Sequence, residues 1–339
     1  QFGGEADFAQ VRFLQPVRVS FDGCACKTYA KFAQAVFSGG ALFSQAKFSA
    51  LADFEKAGFQ GTEDGPAVSF QDGEIAGRAS FNAVQFNGTA DFRNAHFGGE
   101  AAFNGAVFGG EALFTYAKFD RMSTFAEADS EPKQPGASFA HVVVFSGAQF
   151  ASDAFFEGAQ FTAANLPASF SAVVFGGETA FDRVQFAGPV NFIRAQFQAA
   201  ATFTRTRFLH PEEPAAFNSI KAGKSLNFTG ARFVGPLDFV AAEAVGPVQF
   251  ASVEFGGDAL FNAMAVERHA VFGPIGTNAP THFTKTAGPS SRAWRNPCGR
   301  WAAMTRPTKS IWKTSAANSG NAGRITTTAN GFSAPSTDC

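Results

Sequence analysis

Phenylalanine sets the hydrophobic pattern of this chain. Phe37, Phe48, Phe59, Phe70, Phe81, Phe92, Phe103, Phe114 and Phe125 recur every 11 residues. Phe86, Phe97, Phe108 and Phe119 interleave with them, so from 81 to 119 the gaps alternate between five and six. The alternation resumes from Phe170 to Phe208, and an 11-residue step runs on from Phe217 to Phe283. Two residues before each Phe of the 81–119 stretch stands a small one: Ala79, Val84, Ala90, Ala95, Ala101, Ala106, Ala112 and Ala117. The residue between varies freely (Ser80, Gln85, Asp91, His96, Ala102, Val107, Leu113, Lys118), and turn formers such as Asn87-Gly88 and Gly98-Gly99 follow.

An 11-residue period suits a right-handed helical supercoil or a solenoid of very short strands. The helix fails, because at 100° per residue a five-to-six spacing throws successive Phe onto opposite sides. Gly-Gly and Asn-Gly pairs would also break it. In a strand, residues i−2 and i share a side. The pattern therefore predicts Ala and Phe inward, the variable residue toward solvent, and Gly or Asn at corners that need positive φ. Gln60–Ser69 lacks a central Phe, with Gly65 where one is expected, and Ile75 fills a Phe slot. The long and short gaps exchange order between early and later coils. The Pro- and acid-rich stretches 126–138 and 209–216 read as surface loops.

The repeated small–variable–Phe–turn unit resembles the pentapeptide-repeat family, in its Phe-centred variety, from about Phe2 to Phe283. The resemblance implies an all-β fold, a right-handed quadrilateral β-helix with two 11-residue steps per coil. Over 1–283 that makes about 13 coils, with an irregular tail over 284–339. The first residues are already in register, so the N-terminus reads as cut. The tail loses the Phe repeat, holds Trp294, Trp301 and Trp312, and reads as disordered or frameshifted.

Charge divides along the same line. The body carries 19 Lys+Arg against 27 Asp+Glu, a net −8, whereas the tail carries eight basic residues and one acid. An acidic body speaks against direct nucleic-acid binding through phosphates. No apolar run approaches the ~20 residues of a membrane-spanning helix, and a cytoplasmic setting is favoured.

Candidate chemistry is sparse. Cys24 and Cys26 fall in small-residue and central slots and are expected inside as small hydrophobes. Same-strand neighbours are poorly placed to bridge, and no zinc spacing exists. The five His are isolated in sequence. Phe-Gly-Gly-acid occurs five times, placing Glu5, Glu100, Glu111, Glu178 and Asp258 at long corners. These acids are the candidate interaction surface, with Glu100 and Glu111 on opposite corners of one coil. No nucleophile, phosphate-loop or dinucleotide motif appears, and no cofactor is expected.

Three functions follow. The first is a non-catalytic scaffold or protein-interaction module with an unknown protein partner. The second comes from the resemblance, because some members bind type II topoisomerases such as gyrase as DNA mimics. The third is a carbohydrate-active β-helix enzyme, which needs facing carboxylates in a groove. The resemblance also implies end-to-end pairing of two copies.

Overall fold

A computed structural model describes residues 3–61, 65–127 and 135–272. All of its regular structure is strand, in 45 segments of two residues each. They form four parallel sheets of 12, 11, 11 and 11 strands. We call these faces one to four, opening with Ala6–Asp7, Arg12–Phe13, Val19–Ser20 and Ala25–Cys26. Each strand pairs with the strand four later, one coil on. In a regular coil the step is 22 residues, as in Ala79↔Ala101, Gln85↔Val107, Ala90↔Ala112 and His96↔Lys118. At the ~4.8 Å strand spacing the rod is roughly 50 Å long.

Phenylalanine and small residues fill the interior. Phe81, Phe103, Phe125 and Phe156 stack in one column with ring centroids 4.8, 4.7 and 4.8 Å apart. Rings of face three meet this column edge-on, as Phe92 meets Phe81 at 5.4 Å and 84°. Stacking along the rod and edge-to-face contact across it satisfy the ring quadrupoles in both directions. Ile75 occupies the Phe slot between Phe48 and Phe97, as expected. In the later coils Ala222 and Ala244 stand in Phe slots while the small slots hold Ile220, Leu226, Leu237 and Val248. The exchange keeps core volume nearly constant, which is what close packing demands.

The fold corrects four expectations. The described residues hold about 12 turns rather than 13, because inserts consume residues and 273–283 lie outside them. Gly65 vacates no core slot. It belongs to a five-residue insert, since Gly58 pairs Gln85 over 27 residues where 22 is the rule. The solvent-facing rule for the middle residue holds for Gln85 and Lys118 but fails for Ser80, Asp91 and Ala102, which are buried. Corner side chains fold over some of these sites, as Arg93 does over Asp91.

The fourth correction concerns glycine. Positive φ recurs two residues after the Phe of faces one and three, closing turns such as Phe81 C=O to Val84 N–H. That is the geometry of a type II turn. Sixteen of these positions among the described residues are not glycine, including Ala83, Tyr116, Arg183 and Arg205. The Gly-Gly pairs serve a different need. A Cβ on Gly99 would collide with the Gly77 carbonyl one coil away, and one on Gly110 with Gly88. Glycine there lets backbones of neighbouring coils touch.

Candidate functional site

The inserts are not scattered. From the Phe of face two to the first strand residue of face three the chain takes four steps in a regular coil, as from Phe86 to Ala90. It takes six from Phe13 to Val19, nine from Phe59 to Val68, seven from Phe161 to Ala168 and seven from Phe208 to Ala215. Four of the five inserts therefore share one edge of the rod, between faces two and three. The fifth lies between faces one and two, from Thr124 to Ser138. Solenoids commonly carry per-repeat insertions on one face, often the binding face.

The edge changes character along its length. Near the N-terminal end Leu14 and Val17 are exposed, at 66% and 65%. Farther along, Pro167, Pro189, Pro214 and Pro236 stand on successive coils, each directly before a face-three strand. Proline suits this corner because no strand hydrogen bond needs its missing N–H. The carbonyls of Pro167, Pro189 and Pro236 still serve the ladder, as Pro189 accepts from Ala168 N–H at 2.9 Å.

Between these stretches the edge opens into a groove of about 750 Å³. Gly61, Gly88, Gly110, the Gly65–Pro66 part of the insert and His141 line it. Its wall carries Asp91, Arg93, Glu111 and Leu113. Asp91 is buried, and both its oxygens hold Arg93: Oδ1 accepts from Nε at 2.9 Å and Oδ2 from Nη2 at 2.6 Å. Glu111 has no such partner among the described residues and is half-buried.

The five sequence-predicted acids fall on two corners. Glu5, Glu100 and Glu178 precede face-one strands; Glu111 and Asp258 precede face-three strands on the insert edge. Glu5 pairs with Lys31 of the next coil. Glu178 donates its backbone N–H to Asp153 Oδ1 at 2.8 Å. Only Glu111 enters the groove. Other acids meet cations across coils: Glu74 with Lys47 at 3.9 Å, Glu243 with Lys221 at 3.5 Å, Glu254 with Arg232 at 3.3 Å. The acids thus form no continuous stripe.

His96 is not isolated, since its Nε2 lies 2.8 Å from Asp120 Oδ2. His210 Nδ1 accepts the Glu213 N–H at 2.8 Å and shapes the 209–214 insert. Cys26 is buried and Cys24 half-buried; both are free thiols. Burial pushes the Cys24 thiol up to about 12, and Cys26 is raised by the same cause. Glu157 is raised by burial too, and its Oε2 is buried without a hydrogen bond. Among the described residues no group of three His, Cys, Asp or Glu converges as a metal site.

Sequence reading missed Arg93, His141 and the shared edge. The available signal was the count from each face-two Phe to the next small residue, which departs from four only at the inserts.

The described coils have four sides, and on most an inward small residue precedes an inward central residue by two places. The fold is the four-sided parallel β-helix that the pentapeptide-repeat resemblance implies. No family model and no curated protein matches it. A comparison with solved structures lists two that are similar. QnrB1, a plasmid-mediated fluoroquinolone resistance protein, is 14% identical, with 70% of this chain and 91% of that chain covered and a TM-score of 0.24. HetL, involved in heterocyst differentiation regulation in the cyanobacterium Nostoc sp. strain PCC 7120, is 11% identical, with 88% and 94% covered and a TM-score of 0.20. No helix among the described residues is long and apolar enough to cross a membrane. Residues 284–339, expected to form an irregular tail, lie outside the described residues.

Proposed function

We propose that this repeat scaffold is a non-catalytic interaction protein whose partner docks along the edge between faces two and three. The observation that carries the reading is the gathering of four of five inserts on that edge. A rigid rod gives loops a fixed spacing, and loops on rigid scaffolds are where binding concentrates. The groove argues against paired-carboxylate chemistry, since Arg93 occupies both oxygens of Asp91.

The test places a photo-crosslinking side chain at Leu209, on the edge, or at Lys118, on face four, in the native host. Discrete adducts from Leu209 and none from Lys118 are expected. Identical adducts from both positions, or none from either, refute the edge. Turnover of a glycan or ester panel refutes the non-catalytic reading.

A narrower reading makes the partner a type II topoisomerase, with the rod standing in for DNA. The body's net −8 favours it. A gyrase supercoiling assay decides: inhibition at micromolar chain assigns the partner, and undisturbed supercoiling removes it.

A further inference from the structure

The groove on the insert edge contains charges of two kinds. Arg93 is neutralised, because the buried Asp91 carboxylate holds it through Nε and Nη2. That grip fixes the guanidinium plane and leaves the two Nη1 protons and one Nη2 proton free. Donors whose charge is already balanced suit neutral acceptors, and a peptide carbonyl is the commonest. Glu111 is the reverse case: a carboxylate on the same wall with no cation among the described residues. Its unbalanced charge calls for a cation.

Gly61, Gly88 and Gly110 line the same corner, and the Cβ each lacks would meet the backbone of the neighbouring coil, so they hold the coils of the groove in close contact. At about 750 Å³ the groove matches the size of a short extended segment rather than a single ion.

Resting on the interaction reading above, we infer that this groove binds an extended peptide segment of a partner protein carrying one basic side chain. The ammonium or guanidinium of that side chain meets Glu111. Backbone carbonyls of the same segment accept from the free edge of Arg93. The net negative charge of the body draws such a segment in.

The probes are three fluorescein-labelled hexapeptide pools, mixed at five positions and fixed at the third as arginine, norleucine or glutamate. Fluorescence polarisation with the full chain should rank arginine first, with binding that weakens as salt rises. Glu111→Gln should lower affinity for the arginine pool roughly tenfold, as expected for loss of a charge-assisted contact, and Glu111→Asp should restore part of it. Asp258→Asn, at the equivalent corner outside the groove, should change nothing. An unchanged melting temperature for Glu111→Gln excludes a folding defect. Equal binding of the arginine and norleucine pools overturns the inference, as does preference for glutamate or absent binding of every pool to millimolar concentration. If Leu209 crosslinks a partner while the pools fail, the groove chemistry falls and the scaffold reading stands. If the pools bind while Leu209 crosslinks nothing, the reverse holds.

Discussion

Asp91 holds Arg93 two residues away in its own chain, through Nε at 2.9 Å and Nη2 at 2.6 Å, while accepting the Arg93 backbone N–H at 3.0 Å. One buried carboxylate thereby shapes a turn and fixes an arginine of the groove. Arg93→Leu should cost about 2 kcal/mol, because it strands a buried charge. Asp91→Asn should cost about 1 kcal/mol, since an amide oxygen still accepts the Arg93 N–H. Urea denaturation of both variants checks the order; a neutral Arg93→Leu would mean that water replaces the guanidinium.

Two kinds of corner predict opposite signs for similar changes. Gly99→Ala should destabilise by about 3 kcal/mol, because the new methyl meets the Gly77 carbonyl and the coils cannot part locally. Ala83→Gly should stabilise by roughly 0.5–1 kcal/mol, since Ala83 sits at φ 55° and glycine carries no penalty there. Melting temperatures of the pair decide; a harmless Gly99→Ala would contradict the close contact between coils.

Glu157 yields a pH prediction. Burial raises its carboxyl above the ordinary value of 4.5, so the native chain holds the proton to higher pH than the unfolded chain. Unfolding then releases a proton above that value, and this group lowers stability as pH rises through it. Glu157→Gln should be the more stable protein at pH 7, with the gap closing below pH 4. An equal gap at both pH values would show that charge is not the cause.

The paired thiols should be silent. With Cys24 pushed up to about 12 and Cys26 raised, neither is a thiolate at pH 8. In a Cys298→Ser, Cys339→Ser background, Ellman's reagent should label nothing until guanidinium is added, and then two thiols. Labelling of the folded chain would refute the burial. Above pH 9 the unfolded thiol ionises while the folded one does not, so stability should also fall from pH 9 toward 12 and fall less in Cys24→Ala.

Much of the rod was legible in the residues. The period, the inward Phe and small residue, and Ile75 as a core substitute all follow from strand alternation. The insert at 60–66 was hidden by its own length. Five residues equal one side of a coil, so Phe59 and Phe70 keep the 11-residue step although Phe59 belongs to face two and Phe70 follows the face-three strand Val68–Ser69. The exchange of long and short gaps is the trace of that slip. Glycine misled because positive φ and close approach both select it, and sequence does not separate them. Of the five corner acids, only the coil stacking shows that Glu111 shares a groove with Arg93 and His141.

The gathering of inserts on one edge also sets how this protein can change over evolutionary time. Each coil rests only on its neighbours, and a corner there tolerates two, three or five extra residues without moving any Phe column. Mutation by duplication or loss of a few codons is therefore nearly neutral at that edge and ruinous almost anywhere else. If partners dock on this seam as proposed, a rod of this kind could exchange them by rewriting that one edge while the rest of the molecule stands still.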